Sequence, residues 1–288
     1  MKAIKTLFWS SRPVSWINTA FPFGATYVFI NHKVDLTFLV GTLFFLIPYN
    51  LLMYGINDVF DYESDLRNPR KGGIEGSLLG KQYHKLTIWA SVLSCLPFLG
   101  YLYWVSDTNS ALWLTLFVFT VIAYSAPVLR FKERAFLDSV TSSSHFVGPM
   151  IFALSLSGAD LGNKAVFSCI LAFTLWGIAS HAFGAVQDVK ADREAKISSI
   201  ATVIGARATV WFAFICYALA GVLVMNTEWP GPLAVIAAIP YLFILSPYLK
   251  ITDEECESAN KGWRRFIWLN FFAGFVVSLI LIWSYLFI

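Results

Sequence analysis

Two acidic clusters interrupt an otherwise oily chain: Asn57-Asp58-Val59-Phe60-Asp61-Tyr62-Glu63-Ser64-Asp65 and Asp188-Val189-Lys190-Ala191-Asp192. Asn57, Asp61 and Asp65 stand at i, i+4 and i+8, Asp58 and Asp61 at i and i+3, and Asp188 and Asp192 repeat the i, i+4 step. On a helix such spacings project side chains from neighbouring faces of one end. Like charges this close repel unless something positive sits among them. Carboxylates so arranged suit a hard divalent cation, and magnesium binds through one or two of them together with water and phosphate oxygens. Two partial sites therefore imply a third party, a diphosphate that bridges the metals. Glu63 and Glu194 lie off the repeating pattern and read as solvated.

The elements that must position these acids are membrane helices. The chain has 288 residues, is 57% hydrophobic and only 14% charged, and has a mean hydropathy of +0.64, which overrides a soluble reading of its length. Apolar runs at 14–31, 36–60, 84–104, 111–128, 136–157, 164–187, 207–225, 231–249 and 265–287 predict nine spans in one all-α membrane domain over residues 1–288. The first run has no cleavage site and soluble domain behind it, so it reads as a retained helix and not a signal peptide. Alternating loops place 19 Lys and Arg on the side of the N-terminus, and only Lys33 and Lys164 on the other. That asymmetry predicts a plasma-membrane protein with a cytoplasmic N-terminus and an outer C-terminus. Both motifs, separated by four spans, then close helices on the cytoplasmic face. The modest net charge gives no reason to invoke nucleic acid. Cys95, Cys169 and Cys216 fall in spans and Cys256 in a loop, without disulfide or zinc spacing.

A basic stretch, Tyr124-Ser125-Ala126-Pro127-Val128-Leu129-Arg130-Phe131-Lys132, closes the fourth span on the same side. Arg130 can fork onto phosphate oxygens and Lys132 can supply a point charge. The pattern Asn57-Asp58-x-x-Asp61-x-x-x-Asp65 (motif 57–65), the second pair Asp188-x-x-x-Asp192 (motif 188–192) and Tyr124-Ser125-x-Pro127-x-x-Arg130-x-Lys132 resemble the signatures of UbiA-type intramembrane prenyltransferases. The stretch from Asp192 through Lys196 to Ile204-Gly205 also follows that family's habit. The resemblance covers nearly the whole chain. It implies a helical bundle around a central cavity open to lipid, with a cytoplasmic cap over two magnesium ions and an isoprenyl diphosphate. It makes Asn57, Asp58, Asp61, Asp65, Asp188 and Asp192 the metal–diphosphate residues, and Tyr124, Arg130 and Lys132 the phosphate- or cation-stabilising ones. Arg67 and Lys71 would close over the diphosphate.

The chemistry expected of such a site is ionisation of an allylic C–O bond, then attack by an acceptor π-bond and loss of a proton. The cation needs a dry pocket with electron-rich walls, for which Phe45, Tyr49, Tyr54 and Trp176 are candidates. The approach Ile47-Pro48-Tyr49-Asn50-Leu51-Leu52-Met53-Tyr54-Gly55 and the loop Arg67-Asn68-Pro69-Arg70-Lys71-Gly72-Gly73 look most like the lycopene elongase branch. That branch adds dimethylallyl units to the ends of lycopene, an acceptor that would enter from the bilayer. A quinone precursor or a glycerolipid is the alternative acceptor.

Asn18 and Asn50 are buried polar candidates for the cavity wall. His181, seven residues before Asp188, could accept a proton from the product cation or bond a hydroxyl, although a polar residue satisfied by another helix is the commoner case. His145 beside Ser142-Ser143-Ser144 has the same ambiguity. A transporter would set its carboxylates near mid-membrane in broken helices, whereas these stand at helix ends on one face. The CDP-alcohol phosphotransferases pack Gly, Ala-Arg and several Asp into one continuous stretch that this chain lacks. Oligomeric state is not legible.

Overall fold

The structure, a computed structural model, describes residues 2–66 and 78–287; the side chains of Ser64, Asp65 and Ile267 lie outside that description. Every regular element among the described residues is helical. In chain order these are α1 (Lys2–Ser10), α2 (Trp16–Asn31), α3 (Leu36–Leu46), α4 (Pro48–Phe60), α5 (Tyr62–Asp65), α6 (His84–Val105), α7 (Thr108–Ser125) and α8 (Leu137–Leu156). There follow α9 (Lys164–Val186), α10 (Val189–Glu194), α11 (Ile200–Ile204), α12 (Ala206–Leu223), α13 (Val235–Leu245), α14 (Asn260–Trp263) and α15 (Phe266–Phe287).

Seven helical segments among the described residues are long and apolar enough to cross a membrane: 36–60, 81–105, 108–125, 164–186, 206–226, 231–248 and 268–287. The runs expected at 14–31 and 136–157 are also helical. However, α2 has only 16 residues, and α8 carries Asp138, His145 and a run of hydroxyls. Helices enter the apolar zone through side-chain caps. Asp35 accepts from Phe38 N (3.0 Å), Asp107 from Ser110 N (2.8 Å), and Asn163 from Ala165 N (2.9 Å) and Val166 N (3.3 Å). These satisfy backbone donors that no preceding turn can reach.

The chain divides into two compact units, one of residues 1–130 and 148–159, the other of 131–147 and 160–288, so that α8 contributes to both. In the first unit an aromatic cluster fills the core: Phe23, Phe44, Phe45, Tyr49 and Phe152 are all but sealed from solvent. The expectation that Phe45 and Tyr49 wall a reaction pocket is thereby corrected, because their rings pack against each other (5.1 Å between centroids) and against Phe44.

The span expected as one helix over 36–60 is broken at Ile47, where Pro48 cannot donate to the preceding turn. Asn50 repairs the break. Its amide donates to Phe45 O (2.8 Å), Leu46 O (3.1 Å) and Thr19 Oγ1 (2.6 Å), and Thr19 Oγ1 donates to Phe45 O (2.6 Å). Fully buried, Asn50 spends its donors on the helix junction, while its Oδ1 has no hydrogen-bond partner among the described residues.

In the second unit α9 lies along α12. Ala179, Ala182, Phe183 and Val186 share a buried cluster with Ala206, Val210, Ala213 and Tyr217, in which the four alanines let the two backbones approach. Tyr241 and Phe266 complete this core. Large apolar side chains face outward along the spans, Trp104, Phe243, Trp268 and Phe287 among them.

Candidate active site

The first motif is the terminus of α4. α4 ends at Phe60, Asp61 caps it with φ −98° and ψ 1°, and the chain restarts as α5. This bridge region of backbone space is sparsely used and common among active-site residues. The break turns Asp61 toward the end of α7. Asn57 Nδ2 donates to Asp61 Oδ2 (2.6 Å) and to Ser125 Oγ (3.1 Å), tying the two helix ends together. Pro127 holds Ala126 extended and stops α7 at Ser125. The turn that follows carries Arg130 in a left-handed conformation (φ 39°), its Nη2 3.6 Å from Asp61 Oδ1. Asn57, Asp61, Ser125 and Arg130 thus form one polar cluster. Asp61 is only 8% exposed.

Asp58, expected among the metal ligands, has a charged partner within the chain. Its carboxylate is buried and Oδ1 accepts from Arg12 Nη2 at 2.7 Å, with the Arg12 guanidinium 4.5 Å above the Tyr54 ring. Arg12 lies between α1 and α2, held left-handed (φ 49°) just before Pro13. Sequence reasoning missed this partnership by counting Arg12 only as a cation that sets orientation. The available signal was an Arg-Pro step between two apolar helices, where a turn fixes the direction of a long side chain.

The second motif repeats the local geometry. α9 ends at Val186, and Asp188, with φ −98° and ψ −2°, opens α10. Gln187 locks the handover: Nε2 donates to Gly184 O (2.9 Å), and Oε1 accepts from Asn260 Nδ2 (2.5 Å). Asp188 and Asp192 are both half-buried. α10 is braced from behind. Arg193 donates through Nη1 to Asp253 Oδ2 (2.6 Å) and through Nε and Nη2 to Thr202 O (3.1 and 3.0 Å). Asp253 Oδ1 accepts from Ala206 N (2.7 Å), the first residue of α12. That backbone donor, and then Arg193, hold the Asp253 carboxyl below the usual carboxylate range. Gly205 joins α11 to α12 at φ 81°, ψ 163°, a conformation essentially reserved for glycine.

The remaining expected residues are distributed as follows. Tyr124 is half-buried in the last turn of α7, and Lys132 is half-buried in the 3-10 turn Phe131–Glu133. His181 Nδ1 lies 3.1 Å from Ser139 Oγ on α8. Trp176 stacks edge-on against Tyr241. Arg67 and Lys71 lie outside the described residues, as does the side chain of Asp65. Among the described residues no three His, Cys, Asp or Glu side chains form a metal cage unaided. The oxygen donors at the motifs still fit magnesium, whose coordination is completed by water and phosphate. Arg130 beside Asp61 adds a cation suited to the same anion.

Among the described residues, then, the chain is helices without strands, with an Asp pair at each of two helix ends and a cation beside Asp61. Residues 19–276 match the UbiA prenyltransferase family, and the chain belongs to it: this is an integral membrane prenyltransferase. It is 55% identical over 284 residues to the C(50) beta-cyclic carotenoids biosynthesis protein LbtBC of Dietzia sp., covering 98% of this chain and 66% of that protein, just under two thirds of its length. It is 51% identical over 282 residues to a lycopene elongase/hydratase of Corynebacterium glutamicum, covering 98% of each. The fold is similar to that of a UbiA homolog from Archaeoglobus fulgidus bound to DMAPP and Mg2+ (TM-score 0.67, 19% identity, 93% of this chain and 98% of that one). The same homolog bound to GPP and Mg2+ gives a TM-score of 0.66, at 19% identity over 95% of this chain and 99% of that one.

Proposed function

We propose that this prenyltransferase moves a dimethylallyl group from its diphosphate to the ends of lycopene, on the route to C50 carotenoids, with magnesium as cofactor. The observation that carries this reading is the 51% identity to a lycopene elongase/hydratase across 98% of both chains. We place the protein in the plasma membrane with both motifs and the N-terminus cytoplasmic and the C-terminus outside, on the 19-to-2 split of Lys and Arg. Residues 1–288 act as one catalytic domain.

In this reading Asn57, Asp61, Asp65, Asp188 and Asp192 hold the magnesium diphosphate. Magnesium supplies positive charge that stabilises the departing diphosphate. Arg130 and Lys132 bind the same anion, Tyr124 lies beside the developing cation, and Arg67 and Lys71 close over the diphosphate. Asp58 acts at one remove, anchoring the end of α4 to Arg12. The acceptor reaches the site from the bilayer, and its terminal π-bond attacks the allylic carbon.

Expression in a lycopene-producing host, with pigments weighed by mass spectrometry, tests the acceptor. A gain of one or two five-carbon units is expected. Unaltered lycopene, with the protein present in membranes and dimethylallyl diphosphate available, would redirect the reading to a quinone precursor or glycerolipid.

A further inference from the structure

The start of α12 and the turn at 250–254 enclose an open cleft of about 550 Å³. Its floor is the junction at Gly205, where an added Cβ would lie 3.2 Å from Asp253 Oδ1. Glycine there lets the Asp253 carboxylate reach Ala206 N, and its other oxygen goes to Arg193. Two further charges line the cleft from different elements, Arg207 on α12 and Glu254 on the turn, and both side chains are exposed. Arg207 Nη2 donates to Lys250 O (3.3 Å), which ties the side chain to the turn and spends one of a guanidinium's five N–H donors. The backbone N–H of Glu254, then Thr252, hold the Glu254 carboxyl below its ordinary value, so it is ionised at neutral pH.

The cleft opens onto an apolar track. Arg207, Trp211, Ile215, Leu219 and Val222 follow at steps of four, four, four and three, which is one face of α12. The four apolar members are all exposed. Because α12 belongs to the 206–226 segment that is long and apolar enough to span, Arg207 and Trp211 stand where that helix leaves the hydrocarbon. Tryptophan is enriched at that depth. The face beyond Trp211 runs along the acyl layer. A cation and an anion in one cleft, with hydrocarbon-facing residues leading away from it, match a zwitterion that carries a tail. A bare anion would meet Glu254 and Asp253, and a bare cation would meet Arg207.

We propose that this cleft holds the head group of a phospholipid with a primary ammonium, a phosphatidylethanolamine. Arg207 forks onto the phosphate, Glu254 takes the ammonium, and an acyl chain lies along Trp211, Ile215 and Leu219. The site is separate from the residues assigned to the diphosphate. It needs only that the 206–226 helix crosses the membrane, so it stands whichever acceptor the enzyme uses.

The test offers the delipidated full chain an equimolar mixture of phosphatidylethanolamine and phosphatidylglycerol, and counts bound lipid by native mass spectrometry. Phosphatidylglycerol carries the same phosphate without the ammonium. The native chain should retain phosphatidylethanolamine about three- to tenfold over phosphatidylglycerol, between the value of an exposed ion pair and that of a charge-assisted hydrogen bond. Glu254→Gln should bring that ratio to about one, and Arg207→Gln should lower retention of both lipids by at least about threefold. Chain-free phosphoethanolamine in about hundredfold excess should leave the lipid in place, because it forgoes the burial of each CH₂ group. Equal retention of the two lipids by the native chain overturns the proposal, as does a native ratio in Glu254→Gln or native retention in Arg207→Gln. Displacement by phosphoethanolamine overturns it in favour of a soluble zwitterion. Should Arg207→Gln fail to accumulate, the ratio in Glu254→Gln decides.

Discussion

Removing Arg12 should destabilise the protein by more than the loss of an ordinary surface charge. Its guanidinium meets Asp58 at 2.7 Å, with the two side chains 16% and 1% exposed. Breaking a buried pair by deleting one partner strands the other charge and costs about 3–5 kcal/mol. At about 2–4 °C per kcal/mol, the range for domains of 150–250 residues, Arg12→Met should lower the Tm by roughly 6–20 °C. Arg12→Met combined with Asp58→Asn removes both charges and should recover much of that loss. The assay is thermal unfolding of detergent-solubilised protein over the full cycle of single and double variants. A coupling energy of at least about 2 kcal/mol is expected, toward the upper part of the range for residues in contact. Additivity within about 0.5 kcal/mol would falsify the anchoring role assigned to this pair. Asp58 would then return to the set of metal ligands.

Other outcomes follow from the bracing of the two motifs. Arg130→Ala should raise the KM for the allylic diphosphate about 10- to 100-fold, the value of one charge-assisted contact, and steady-state kinetics with an unchanged KM would place Arg130 outside the site. Gly205→Ala should cost about 1–3 kcal/mol, because the backbone there (φ 81°) is one that side-chain-bearing residues avoid; an unshifted melting temperature counts against that strain. The Asp253 carboxyl is held below its ordinary value, so its contribution is complete above about pH 4 and is lost as pH falls through the folded value. Melting curves of the native protein should therefore fall more steeply below about pH 4 than those of Asp253→Asn, and parallel curves would contradict the assignment.

Much of the helical framework was legible because lipid imposes a simple rule on composition. The runs at 111–128 and 231–249 are short or proline-containing, yet both are among the segments apolar enough to span. Asn57, Asp61 and Arg130 could be grouped from residue type and spacing, since clustered charge in an apolar chain has few purposes. Tertiary partners were not legible. Nothing in the spacing of Asp58 distinguishes a carboxylate aimed at a metal from one aimed at Arg12, because both are opposite charges supplied from elsewhere in the chain. Asn50 reads as a cavity residue until Pro48 is seen to break the helix and leave carbonyls for its amide. Nor does a helical repeat reveal that Asp61 and Asp188 sit just where their helices stop, with nearly the same φ and ψ. The two Asp motifs are alike in backbone as well as in sequence.

Both Asp motifs are proposed to serve one magnesium-dependent transfer of a prenyl group. The most direct test is label transfer from radioactive dimethylallyl diphosphate to lycopene in vesicles holding purified protein, with magnesium titrated from zero. Transfer should rise with magnesium in the native protein and be abolished in Asp61→Asn and in Asp188→Asn, each still accumulating and folded. Native-like transfer in either variant, or transfer indifferent to magnesium, would contradict it.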